Sequence, residues 1–224
     1  MSMQTVLEYL AALEQNNDRE WYHEHRSLRT AANQDFEEFL RRLILEIREF
    51  DETIPLLEPR ELTFKLVRDT RFSHDKSPYN PAFRAHISAK GKLPIPVGYY
   101  IMIRPGGKSF LGGGLFADMF KDATAMVRDH IAAHGGQWQK IITDPGFTRR
   151  FTVGGTALKN VPRGYDPGHP QAEYLKNKSW YLEYPVSDKQ VGDEDFVSFA
   201  ASVFSDMRPF NDYLNQALEG FQMP

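Results

Sequence analysis

Three patterns of apolar and polar positions divide this chain. In the first third, Phe36, Phe39, Leu40, Leu43, Ile44 and Ile47 recur at i, i+3, i+4 spacing, which lines them along one face of a helix. Asn17 or Asp18 stands where a cap belongs for a shorter helix carrying Trp21. Pro55 and Pro59 punctuate the exit, and Leu62 to Leu66 alternates like a strand. The middle is strand-like. Phe83, Ala85 and Ile87 alternate with Arg84, His86 and Ser88, giving one apolar face and one face that is wet or lines a polar cavity. Val97 to Ile103 is apolar at nearly every position, which predicts a central strand covered on both sides. Arg104-Pro105-Gly106-Gly107 turns the chain, and Ser109-Phe110-Leu111 returns as a hairpin partner ahead of Gly112-Gly113-Gly114.

Further on, Phe120, Ala123, Val127, His130, Ile131 and His134 mark a helix that Gly135-Gly136 would close with a left-handed cap. Trp138, Ile141 and Ile142 add another helical turn or two, and Phe147, Arg149, Phe151 and Val153 alternate as a strand. Residues 154 to 177 read as a long ordered loop with a short helix from Gln171 to Lys176, and Trp180, Leu182 and Tyr184 form a last strand. The final stretch is a helix capped near Asp193 with Phe196, Phe199, Ala200, Val203, Phe204 and Met207 on one stripe. Pro209 then predicts a kink or a second abutting helix through Phe210, Tyr213, Leu214, Ala217 and Leu218. Helices bracketing a hairpin-connected middle predict a single α+β domain over residues 1–224. Its sheet should be mainly antiparallel and packed by the N- and C-terminal helices.

Length and composition support that reading. The 224 residues are 41% hydrophobic and 13% aromatic, enough for a sizeable core. Zero cysteines exclude a disulfide scaffold, thiol catalysis and cysteine-ligated metal centres, and point to a cytoplasmic protein. No apolar run is long enough to span a membrane, and Met1 to Gln15, with Glu8 and Glu14, lacks the basic start of a signal peptide. The net charge of -3 conceals acidic ends and a basic middle, where residues 60–92 carry eight Lys/Arg against three Asp/Glu. If folding gathers that segment on one surface, the surface attracts anions; otherwise ends and middle neutralise one another.

Chemistry concentrates at Arg68-Asp69-Thr70-Arg71-Phe72-Ser73-His74-Asp75-Lys76-Ser77-Pro78-Tyr79-Asn80. This mixture suits no amphipathic element, and Pro78 disfavours helix at Ser77. As an anion site, Arg68, Arg71 and Lys76 would supply cationic donors and Ser73 and Tyr79 hydroxyls, with Asp69 or Asp75 orienting the arginines or serving as a base. As a structural knot, the same aspartates would pair with the same arginines and hold the loop to the sheet. Gly112 to Gly114 mark a close approach of backbone to backbone or to ligand. The loop around Lys159, continuing to Lys178, could fold over the site as a lid.

Other motifs fall away. Gly106-Gly107-Lys108-Ser109 fails as a phosphate-binding loop, because that motif needs glycine at Met102 and a helix after Ser109. His130 and His134 have the spacing of a metal pair but lie on or beside an apolar stripe with no third ligand in view, so no metal and no cofactor is expected. No G-x-S-x-G nucleophile elbow occurs.

RDTRFSHDKSPYN, followed in order by GYYIMIRP, LGGG, LKNVPRGYDPGHP and LKNK, resembles the family of unknown function number 2461 over roughly Trp21 to Leu218. The resemblance implies a mostly bacterial and fungal cytosolic protein with no assigned activity. Its signature falls on Arg68, Asp69, Arg71, Phe72, Ser73, Asp75, Lys76, Pro78 and Tyr79, on Gly112 to Gly114, and on Lys159 and Lys178. Asn80 replaces the lysine the family commonly shows after its Pro-Tyr pair. The leading expectation is therefore a site for a small anionic, phosphate-bearing molecule, with or without catalysis. One alternative is a nucleic-acid-binding or processing protein stacking bases on Phe72, Tyr79, Tyr99 and Tyr100, which the acidic total charge disfavours. The other is a wholly structural polar network. Oligomeric state is not set by the sequence.

Overall fold

A computed structural model describes residues 3–116 and 120–223. The chain opens with helices α1 (Met3–Gln15), α2 (Arg19–Glu24), α3 (Arg26–Phe50) and α4 (Pro59–Leu62). Strands β1 (Phe83–Ile87), β2 (Tyr99–Ile103) and β3 (Ser109–Leu115) follow. Helices α5 (Lys121–Ala133), α6 (Gly135–Ile142), α7 (Pro145–Arg150) and α8 (Ala172–Leu175) then precede strand β4 (Trp180–Val186), α9 (Asp188–Val191) and α10 (Phe196–Ala217). The four strands form one antiparallel sheet in the order β1-β2-β3-β4, so the expected α+β architecture is present.

The amphipathic stripes decide the layers. The predicted stripe of α3 is buried, as are Val6, Leu7, Leu10 and Leu13 of α1 and the long stripe of α10. These faces meet the inward side of the sheet, where Phe83, Ala85, Tyr99, Ile101, Leu111, Trp180 and Leu182 are buried in the same core. Each large aliphatic or aromatic side chain among them removed from water contributes about 1.5–3 kcal/mol. The Tyr99 hydroxyl donates a 2.8 Å hydrogen bond to buried Asp51 just beyond α3, tying the helix end to β2.

Several expectations change. Phe147 to Val153 is not a strand: Asp144 caps α7 by accepting from the Gly146 and Phe147 amides, and Pro145 occupies the first turn, where its missing N–H costs nothing. Gly135 and Gly136 do not end α5 in a left-handed turn but begin α6. Pro209 lies inside the unbroken helix α10, because Met207, Phe210, Tyr213 and Leu214 on both sides of it are buried, offsetting the roughly 3 kcal/mol that an interior proline costs. Leu62 to Leu66 supplies the last residue of α4 and then a single bridge, Thr63 to Ala85, beside β1. The apolar run at β2 is covered on one side only; Tyr100 and Met102 point to the other side and stay half-exposed.

Candidate functional site

The polar cluster folds as an irregular hairpin at the outer edge of β1. Val67 and Tyr79 pair antiparallel, the Arg68 amide donates to the Pro78 carbonyl at 2.9 Å, and the Asn80 amide donates to the Leu66 carbonyl at 2.7 Å. Between them two aspartates organise turns: Asp69 accepts from the Arg71 amide at 3.1 Å and Asp75 from the Ser77 amide at 2.9 Å. The base is anchored by Tyr79, which is buried and stacked 3.8 Å from Tyr22, itself under the Arg29 guanidinium at 4.0 Å. Asn17 holds the same point by accepting from the Tyr79 amide and donating to its carbonyl.

The charges within the hairpin are largely committed to one another. Arg71 grips Asp69 through Nε and Nη2, with contacts of 2.6–3.1 Å, at an exposed tip beside Phe72, which is 95% exposed. Arg68 pairs with Asp75 and reaches Ser73 Oγ at 3.4 Å and the Ser77 carbonyl at 3.3 Å. Lys76 donates to the Thr70 carbonyl at 3.0 Å. Hydrogen bonds from Ser77 and Arg68 hold the Asp75 carboxyl well below the usual carboxylate range, and Arg71 does the same to Asp69.

Beside the hairpin base lies a hollow of about 390 Å³. Arg68, Asp75, Ser77 and Tyr79 line it from the hairpin, Glu14 and Asn17 from the end of α1 and the turn after it, and Arg104 from the turn after β2. Arg104 donates to Glu14 at 2.7 Å, Lys108 stands 3.4 Å from the same carboxylate, and these cations pull the Glu14 carboxyl down. Arg104 Nε is buried with no hydrogen-bond acceptor. Sequence reasoning placed Arg104 in a turn and missed its part here. The available signal was a cation directly following an apolar strand.

The structure does not gather all the predicted residues. Asp69, Arg71, Ser73 and Lys76 stand on the hairpin outside the hollow's lining. Gly112, Gly113 and Gly114 lie inside β3 instead of in a ligand loop. A Cβ on Gly113 would stand 3.0 Å from Met207 Sδ, so this glycine makes room for α10. Lys159 and Lys178 belong to the segment that pairs with β4 at the opposite edge of the sheet. There the Lys178 amide donates to the Thr156 carbonyl at 2.7 Å and Lys159 is exposed. Tyr79 and Tyr99 are in the core, unavailable to bases, while Tyr100 is half-exposed.

The His130 and His134 rings do lie side by side, with centroids 4.3 Å apart and planes tilted by 34°, but among the described residues no group of three potential ligands could hold a metal ion. No helix among the described residues is long and apolar enough to cross a membrane. A family model described as "Conserved hypothetical protein (DUF2461)" matches residues 5–213. No curated protein and no solved structure matches the chain. With nearly its whole length matched, from α1 to α10, the chain belongs to the DUF2461 family.

Proposed function

We propose that this protein binds a small anionic ligand, carboxylate- or phosphate-bearing, in the hollow between the 66–80 hairpin and the turn after β2. The observation that carries the reading is a pair of guanidinium groups, Arg68 and Arg104, lining one hollow from separate elements, with Arg104 Nε buried and unpartnered. Asp75 and Glu14 tether the two cations, while Asn17 and Ser77 add neutral polar groups to the lining. Asp69 and Asp75 are weak bases because their ionised forms are stabilised by partners, so the reading is of binding ahead of catalysis.

Thermal-shift screening against phosphate, pyrophosphate and small di- and tricarboxylates, followed by calorimetry on the best ligand, tests this. Arg68→Ala and Arg104→Ala are each expected to weaken binding at least about tenfold, the loss of one charge-assisted contact. Arg71→Ala is expected to leave both affinity and melting temperature unchanged, because its ion pair is solvent-exposed at the hairpin tip. Undiminished binding by the folded Arg68→Ala/Arg104→Ala protein would refute the assignment.

A further inference from the structure

The second face of the sheet is not built like the first. It carries Arg84 from β1, Tyr100 from β2, Phe110 from β3 and Tyr181 from β4, and all four are only partly buried. Phe64, beside β1, and Phe116, just after β3, complete a row that crosses the whole sheet. Ring centroids are 6.2 Å apart from Phe64 to Tyr100, 5.7 Å from Tyr100 to Phe116, and 4.7 Å from Phe116 to Tyr181, the last pair stacked. Phe116 is 38% exposed although it is a large aromatic.

Cations border this row where it meets the β1 edge. Arg84 and Lys92 each lie 5.5 Å from the Phe64 ring centre. Phe64 also lines a groove of about 690 Å³ between α3 and residues 60–67, in which Arg29, Arg60, Lys65 and Lys92 face a single carboxylate, Glu37. Among the described residues none of those four cations enters a salt bridge, in contrast to Arg68, Arg71 and Arg104. At the far end, Tyr181 shares a hollow with Arg149 and Arg150.

We propose that the aromatic row and the adjoining cationic groove bind single-stranded nucleic acid, with bases stacked on the row and the phosphate backbone following Arg60, Lys65 and Lys92. Cations that hold only carbonyl or aromatic partners, with no carboxylate against them, beside half-exposed rings suit a chain whose charge and whose flat apolar groups alternate. Stacking asks nothing of base identity, so weak sequence preference accompanies it. The site is separate from the Arg68 and Arg104 hollow and stands or falls independently of it.

Fluorescence anisotropy with labelled oligo-U and oligo-dT of about 12 nucleotides, titrated between about 50 and 200 mM salt, reads the proposal directly. Three backbone contacts give a slope of log affinity against log salt of about -2, and Lys65→Gln/Lys92→Gln brings it to about -0.7. Phe116→Ala, and equally Phe116→Leu, which keeps apolar volume without a π face, weakens binding about tenfold at unchanged slope. Arg104→Ala changes neither. No binding at the lowest salt overturns the proposal. So does binding that inorganic polyphosphate matches and that Phe116→Leu, shown folded by circular dichroism, leaves intact.

Discussion

Replacing Gly114 with alanine is expected to lower the unfolding free energy by about 3 kcal/mol or more, from left-handed backbone strain together with overpacking. Gly114 sits at φ +91° in β3, and an added Cβ would stand 2.4 Å from the Trp180 carbonyl oxygen and 2.8 Å from Phe210 Cε1. The first of these atoms is backbone of the neighbouring strand and cannot yield without breaking the pairing of Leu115 with Trp180 and of Gly114 with Tyr181. Urea denaturation monitored by tryptophan fluorescence measures the loss. Gly136→Ala provides the contrast, since its Cβ meets nothing within 4 Å and its backbone is helical; it is expected to stabilise by about 0.5–1 kcal/mol. A Gly114→Ala protein of unchanged stability but impaired ligand binding would reverse the assignment and return this glycine to a ligand site.

Acidification is expected to remove up to about 3 kcal/mol of stability through His86 alone between pH 6.5 and about 4. His86 lies on β1 at 7% exposure, and burial pushes its imidazole down to about 4 from the 6.5 of an unperturbed histidine. The native state therefore holds the neutral ring while the unfolded chain takes up a proton, so the contribution is complete above pH 6.5 and is lost as the pH falls towards 4. Carboxylates such as Glu14, Asp69 and Asp75, whose pKa values are lowered, lose their own contributions in acid, and the difference between wild type and His86→Gln isolates the histidine. Stability curves for the two proteins should converge as the pH drops from 7 to 4. Parallel curves over that interval would show that His86 is solvated in solution or already carries its proton.

The helical stripes were legible because each reports burial against one face. At β1 the apolar positions Phe83, Ala85 and Ile87 are buried as expected, but His86 and Ser88 on the opposite face are buried as well, so only Arg84 there stays partly exposed. The alternating Phe147 to Val153 stretch misled because a proline at a helix start and an aspartate cap outweigh four residues of apparent period two. The apolar run at β2 misled for a related reason. Hydrophobicity reports transfer from water but not whether the covering layer is a helix or a row of aromatic side chains, and here Tyr100 packs among Phe64, Phe110 and Phe116 on a face that remains partly open.

The candidate site divides the same way. Density of charge singled out residues 68–80, and that segment does form a tightly bonded unit. Which charges cancel was beyond local reading, because pairing depends on distances of a few ångströms between groups whose order along the chain permits several partners. Composition and periodicity by themselves predicted a mainly antiparallel sheet packed by the N- and C-terminal helices and singled out the polar cluster after the Leu62 to Leu66 stretch. Tertiary structure alone decided that Arg71 would be spent on Asp69, that Arg104 would join Arg68 across a hollow, and that Gly112 to Gly114 would lie inside β3 with α10 or β4 close against them. The physical reason is that burial is summed along one element, whereas a site is made by contacts between elements whose relative placement only the closed core establishes.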